Sequence, residues 1–398
     1  MSAEGQVMKG EGDARHLTTA EVARRLDIKP ETVYAYVSRG LLTKLPASGR
    51  RGSLFREDEV AKLARGRRHR ERSTMDDIAT TISAIEDDQL YYRGRNVADL
   101  LATHPVESVA GLLWTGELDS APAEFNAPAA ILRTTRAAVG ALGESARLTD
   151  RMRVAVTVAS ASDQLRFDLS PQGVLRTARI ILAVEADCLG PHHDSGTLAE
   201  RLGPALTEHV LPAGLLDSTL TLLADHGLAI STMAARVAAS ARVHPYGVVS
   251  AGLGAMDSQY HGAASTVAYR FLADAMADPL GAASERLRLG GGLPGFGHLI
   301  YQTTDPRAEL LLTILRSLPD AAPALEAIDT ITDHLGAPHT AVPNIDLALA
   351  VLMHTYRMRP DAGEAIFALA RTIGWIAHTL EEYAERPMRF RPNHAPVP

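Results

Sequence analysis

From about residue 75 onward the chain is built of Ala- and Leu-rich stretches of helical length, with Pro and Gly falling mainly between them. Ala and Leu have high intrinsic helix propensity, and aromatic residues make up only 5% of the chain. The pattern predicts helices over 106–114, 129–142, 149–160, 171–186 and 197–211, with more downstream. One stretch differs. TISAIEDDQLYYRGRNVADLL alternates around the acidic turn Glu86-Asp87-Asp88, which predicts a small β-hairpin followed by a helix. The fold class is therefore mainly all-α. No run of about 18 apolar residues is present, so no transmembrane helix and no membrane partner are expected. The N-terminus lacks the apolar stretch of a secretory signal. The single cysteine, Cys188, lies in the apolar pattern ILAVEADCLG and reads as a buried structural thiol. It fits a reducing cytoplasm.

Charge divides the chain. Residues 1–74 hold 16 Lys/Arg and 10 Asp/Glu, a net of +6, within a chain whose net charge is −7. The remainder is correspondingly acidic, at −13. This asymmetry predicts a basic module joined to an acidic one. Residues 1–16 read as a disordered tail. Residues 17–72 read as helix, short break, helix and a Gly/Ser/Arg-rich turn, followed by a third helix over 56–67. This segment resembles the winged helix-turn-helix of the MerR type and its excisionase-like relatives. The resemblance implies a second helix in the DNA major groove, offering Thr32, Tyr34, Tyr36 and Arg39, with Arg50 and Arg51 on the wing reaching phosphates. The other reading is a helical module for protein contacts. The run 64–72, ARGRRHRER, reads equally as a phosphate-tracking stripe or a solvated linker.

Four segments place polar residues inside the otherwise apolar helical chain: Asp225-His226-Gly227; Tyr260-His261-Gly262; Gly295-Phe296-Gly297-His298 with Asp305-Pro306-Arg307 downstream; and Pro343-Asn344-Ile345-Asp346, followed by Arg371 and His378. Singly, each has a bland explanation. Asp346 suits a helix cap, Gly-Phe-Gly suits a turn, and Arg371 suits a buried ion pair.

In this order, the segments resemble the citrate synthase family, including the citrate and 2-methylcitrate synthases. The most specific matches are GFGHLIYQTTDPRA and FALARTIGWIAH, and the resemblance covers roughly residues 80–392. It implies a two-domain helical fold, with residues 75–255 and 350–398 forming a large domain and 256–349 a small one. It also implies condensation of an acyl-CoA with oxaloacetate, followed by thioester hydrolysis. Asp346 would be the base, His261 would support the enol, and His298 would polarise the ketone. His226, Arg307 and Arg371 would hold the oxaloacetate dianion, joined by Arg391 donated from a partner subunit. That donation implies a homodimer or a higher even oligomer. The Gly295–Gly297 loop would face the CoA adenine. Acyl-CoA is then a co-substrate, with no bound cofactor and no metal. Departures cluster in the acyl half. Tyr260 and Ser265 flank His261 where the family commonly has Leu and Asn, and Leu299 and Gln302 replace two positive charges after His298. The acyl donor is thus left open between acetyl-CoA, propionyl-CoA and a close analogue. A second hypothesis keeps the basic front module in view: a transcriptional regulator whose synthase-like domain senses a metabolite.

Overall fold

The first helix begins on a reciprocal cap. The Thr18 hydroxyl accepts from the Glu21 N–H at 3.4 Å, while the Thr18 N–H donates to the Glu21 carboxylate at 2.8 Å. The structure is a computed structural model. It describes residues 16–26, 29–38, 42–46, 53–57, 59–60, 78–118, 124–190, 196–258, 261–298, 300–301, 303–335 and 342–390. The chain divides into two compact units, with the boundary between Ala79 and Thr80.

In the first unit, helices α1 (Thr19–Leu26) and α2 (Pro30–Ser38) accompany strands β1 (His16–Thr18), β2 (Leu45–Pro46) and β3 (Ser53–Arg56). β3 is central and antiparallel to both neighbours, pairing Leu17 with Phe55 and Leu45 with Leu54. Val22, Leu26, Val33 and Phe55 belong to its small core. β2 and β3 form the predicted wing. Its tip, with Arg50 and Arg51, lies outside the described residues, as does Arg39. Two expectations need correction. The segment assigned to a disordered tail ends in a strand, because His16 pairs with Arg56. Arg56 therefore closes β3 instead of opening a helix. A three-residue strand carries too little alternation to be read from sequence. Within α2, Tyr34 is 48% exposed, whereas Tyr36 is half-buried against the core.

The second unit opens with β4 (Ser83–Glu86), β5 (Gln89–Tyr92) and β6 (Arg95–Asn96), an antiparallel meander. Asp87 and Asp88 turn the predicted hairpin with φ of 49° and 56°. Both values lie in the left-handed region that Asp tolerates better than most residues. The hairpin gains a third strand, β6, only two residues long. The helices that follow are α3 (Val97–Thr103), α4 (Val106–Thr115), α5 (Ala129–Gly140), α6 (Leu148–Ser162), α7 (Pro171–Asp187), α8 (Leu198–Leu206), α9 (Leu215–Leu223), α10 (Ile230–Ser240), α11 (Pro245–Met256), α12 (Ala264–Ala277), α13 (Pro279–Arg288), α14 (Pro306–Arg316), α15 (Ala322–Leu335), α16 (Ile345–Thr355) and α17 (Ala362–Ala384).

α8 ends earlier than the sequence predicts. The Thr207 hydroxyl donates to the Tyr356 carbonyl at 2.6 Å, and the Leu206 carbonyl accepts from the Arg359 N–H at 2.9 Å. A distant turn thus captures the chain before it can continue as helix. α17 is the axis of the unit. Every residue from Ala362 to Thr379 is buried. A helix buried on all sides has other elements packed all round it, and α4, α6, α7, α9, α10, α11 and α16 supply them here. Its polar residues therefore point into protein, where each needs a partner. No described helix is long and apolar enough to cross a membrane.

Candidate active site

α17 explains the spacing of its own motif. Arg371, Gly374 and His378 recur at helical intervals and meet the turn after α9, residues Leu223 to Asp225. The Arg371 Nε donates to the Leu223 carbonyl at 3.0 Å. His378 Nε2 lies 3.2 Å from Asp225 Oδ1, and Arg236 Nη1 lies 2.8 Å from His378 Nδ1. Arginine can only donate, so Nδ1 accepts and Nε2 carries the proton that goes to Asp225. Between these residues, a Cβ on Gly374 would stand 2.4 Å from both the Ala224 carbonyl and Asp225 Oδ1. Only glycine lets the turn approach this closely. Asp225 also accepts from Ser83 Oγ, and from the Gly227 N–H at 3.0 Å. Burial opposes ionisation of Asp225, yet His378, Arg371 and Ser83 hold its carboxyl below the usual range. It is the buried counter-ion of the site.

Arg371 is nearly fully buried, and burial lowers it to about 10 despite Asp225. Its Nη2 is buried with no hydrogen-bond partner among the described residues. An unmatched guanidinium N–H in the interior is costly and calls for an acceptor. Phe367, one turn earlier, lies under the guanidinium at 4.5 Å and edge-on to His261 at 5.3 Å.

His226 follows Asp225 directly. Burial, then the positive charges of Arg307 and Arg371, hold it well below the usual histidine range, so the ring is neutral. It lies 5.5 Å from the His298 ring. The turn after the Gly-Phe-Gly loop fixes His298. Its Nδ1 accepts from the backbone N–H of Ile300 at 3.0 Å and of Tyr301 at 3.3 Å. The ring proton therefore sits on Nε2. Arg307 Nη2 lies 3.3 Å from that nitrogen. Two donors side by side define a place for an oxygen acceptor. Arg307 itself is held by Asp305 through Nε at 2.9 Å and Nη2 at 2.8 Å. Asp305 also caps α14 and accepts from the Ile345 N–H at 3.0 Å, tying α14 to the start of α16.

Asp346 lies in the first turn of α16. The Asn344 side chain caps that turn, accepting from the Asp346 N–H at 3.0 Å. Asp346 keeps some accessible surface, but packed protein shields most of the carboxyl. Burial raises it to about 6, Arg307 opposes the rise and Asp305 adds to it. His261 precedes α12. Its Nε2 lies 2.7 Å from Ser231 Oγ, and burial followed by Arg371 lowers it to about 4.

The Gly-Phe-Gly loop packs against the start of α16. The Gly297 N–H donates to the Val342 carbonyl at 2.8 Å. The Gly295 and Gly297 carbonyls accept from Asn344 at 2.9 Å each, through its backbone N–H and its Nδ2 respectively. Gly295 has φ of +83°, and a Cβ there would meet Leu347 Cβ at 2.7 Å. These three backbone groups clamp the loop onto the α16 cap and so set the position of Asp346. Arg391 lies outside the described residues.

Most of the predicted residues are thus linked by contact or field: His261 through Phe367 to Arg371, and His226 to His298, Arg307 and Asp346. The profile of the citrate synthase C-terminal domain matches residues 74–393. This chain belongs to the citrate synthase family. A helix-turn-helix domain profile matches residues 17–68. The chain is 30% identical to the citrate synthase of Haloferax volcanii over 343 residues, covering 76% of this chain and 89% of that one. It is 27% identical to 2-methylcitrate synthase 2 of Corynebacterium glutamicum over 338 residues, covering 76% and 88%. The fold matches the citrate synthase of Thermoplasma acidophilum, solved as a ternary complex with carboxymethyl coenzyme A and oxaloacetate. The TM-score is 0.66 at 23% identity, covering 80% of this chain and 93% of that one. The Thermotoga maritima citrate synthase gives a TM-score of 0.64 at 24% identity, covering 81% and 93%. Sequence reasoning missed the positioning roles of Asp225, Asp305, Gly374 and His378. Each lies inside a quoted motif but also bonds or packs against residues far along the chain, 40 away for Asp305 and 153 for Asp225 and His378.

Proposed function

We propose that this citrate synthase relative condenses the α-carbon of an acyl-CoA with the ketone of oxaloacetate, then hydrolyses the thioester to citrate or a 2-alkylcitrate and free CoA. The observation that carries this reading is the buried Arg371 Nη2, without a hydrogen-bond partner among the described residues, beside two neutral imidazoles, an arrangement suited to a small carboxylate. Asp346 removes the α-proton, and the electron pair moves onto the thioester oxygen, where the His261 N–H meets it. For this role the ring proton stands on Nδ1, with Nε2 accepting from the Ser231 hydroxyl 2.7 Å away. The enol carbon then attacks the ketone, whose oxygen takes a hydrogen bond from His298 Nε2. Water finally cleaves the C–S bond, releasing the CoA thiol. Arg307, Arg371 and His226 hold the carboxylates. The family reaction takes acyl-CoA as co-substrate and needs no metal or prosthetic group. Among the described residues, no group of three His, Cys, Asp or Glu is placed to hold a metal ion. The test is free-thiol release from acetyl-CoA and propionyl-CoA in the presence of oxaloacetate, with products identified by mass. Turnover with at least one donor is expected, and none with either contradicts the reading.

Residues 256–349 are proposed as the small domain that closes over the substrates, with 75–255 and 350–398 as the large one. The site is proposed to be completed in a homodimer by the partner's Arg391, with the enzyme working in the cytoplasm. Mixed dimers of Arg391→Ala and Asp346→Asn chains should recover about one quarter of wild-type activity. Half of the dimers are then mixed, and each carries one intact site. No recovery contradicts the trans donation.

The basic front domain is proposed to bind DNA through α2, presenting Thr32 and Tyr34, with Arg39, Arg50 and Arg51 contributing charge. The helix-turn-helix match and the exposed Tyr34 support this. A gel shift on the upstream DNA at stated salt, abolished by deleting residues 1–72, is the expected result. An unchanged shift on deletion contradicts it.

A further inference from the structure

Tyr301 has no part in the reaction as described, yet it touches three of the residues assigned to oxaloacetate. It is 6% exposed. A hydrogen bond of 2.8 Å joins its hydroxyl to His226 Nε2. Its ring lies 4.6 Å from the His298 ring, and the Arg307 guanidinium stands 5.6 Å above it. Its backbone N–H is also one of the two that keep the His298 proton on Nε2. One residue therefore fixes both imidazoles on this side of the site.

Oxaloacetate offers only acceptors: two carboxylates and a ketone. A neutral histidine carries one N–H and one lone pair. Unless something fixes its tautomer, it can turn the lone pair toward a carboxylate, which repels it. Burial and the neighbouring arginines keep His226 neutral, and burial keeps the Tyr301 hydroxyl protonated. The pair then holds two protons. One lies in the shared hydrogen bond, and the other points outward, from His226 Nδ1 or from the Tyr301 hydroxyl. We propose that Tyr301 is a positioning residue whose bond to His226 makes the two side chains a single outward-pointing proton donor for an oxaloacetate carboxylate. This inference rests on the oxaloacetate reading above.

The test is calorimetric titration of the full-length protein with oxaloacetate alone, comparing wild type, Tyr301→Phe, His226→Asn and the double variant. Loss of one hydrogen bond to a charged group predicts affinity lower by about tenfold or more in Tyr301→Phe. The KM for acyl-CoA at saturating oxaloacetate should stay within about twofold. The double variant should bind no more weakly than His226→Asn, because the two residues act as a unit. The decisive signature is this non-additivity in oxaloacetate affinity, because a packing role for Tyr301 does not depend on which residue stands at position 226. Wild-type affinity in Tyr301→Phe overturns the proposal. So do losses that multiply in the double variant, which mark a packing role. If wild type itself fails to bind oxaloacetate, it is the oxaloacetate reading that fails.

Discussion

Asp225→Ala should destabilise the second unit by about 3–5 kcal/mol, because it leaves a buried charge without its counter-ion. Asp225 is fully buried, accepts from His378, Ser83 and Gly227, and offsets the charge of Arg371. Its removal strands the arginine in the protein interior. Urea unfolding should show a lower midpoint at unchanged slope. The pH dependence has a defined sign. Asp225 is held below its ordinary value in the folded state, so its stabilising contribution is present above the unfolded pKa and lost as pH falls through the folded one. The variant should lose that part of the acid sensitivity. Gly374→Ala presses on the same carboxylate from the other side and should also destabilise, although no charge is removed. An unchanged unfolding midpoint in Asp225→Ala would show that Arg371 is neutralised by other means.

Asp346→Asn should reduce kcat by about 10²–10⁴, the range supplied by a positioned general base. Burial first, with Asp305 adding to it, raises the Asp346 carboxyl to about 6. The ionised form is the base, so wild-type kcat should fall as pH drops below about 6. Stability runs the other way. A carboxyl raised in the folded state costs stability as pH climbs from its unfolded value toward the folded one. Asp346→Asn should therefore melt higher than wild type at pH 7 to 8. A variant that is slower but more stable separates a functional carboxylate from a structural cap. A variant that is both slower and less stable would favour the cap.

These two residues differ in how they show in the sequence. Asp346 stands in Pro-Asn-Ile-Asp before an apolar helix, so a helix start there is legible, but the cap is Asn344, and Asp346, which suits a cap by its residue type, lies inside the first turn of α16. The buried core of α17 is legible from its Ala- and Leu-rich run, as are the other long helices. What α17 packs against is not. Arg371, Gly374 and His378 share a face at helical spacing, but nothing local says that residues 223–225 fill the space opposite. The same holds for Asp305, whose bond to Ile345 crosses 40 residues. The ends of elements fail for related reasons. β1 and β6 are too short to show alternation, and a turn 149 residues downstream stops α8. The Gly-Phe-Gly loop is legible as a turn, but not that its glycines clamp the segment that carries Asp346.

The central claim is that a carboxylate at Asp346 starts a condensation on oxaloacetate held by Arg307, Arg371 and His226. Thiol release from acyl-CoA, measured in wild type and Asp346→Asn at oxaloacetate concentrations shown by calorimetry to saturate both, tests it most directly. The predicted result is turnover in wild type and a loss of at least about a hundredfold in the variant, with oxaloacetate affinity preserved. Equal rates in the two proteins would contradict it, as would a loss explained wholly by weaker oxaloacetate binding.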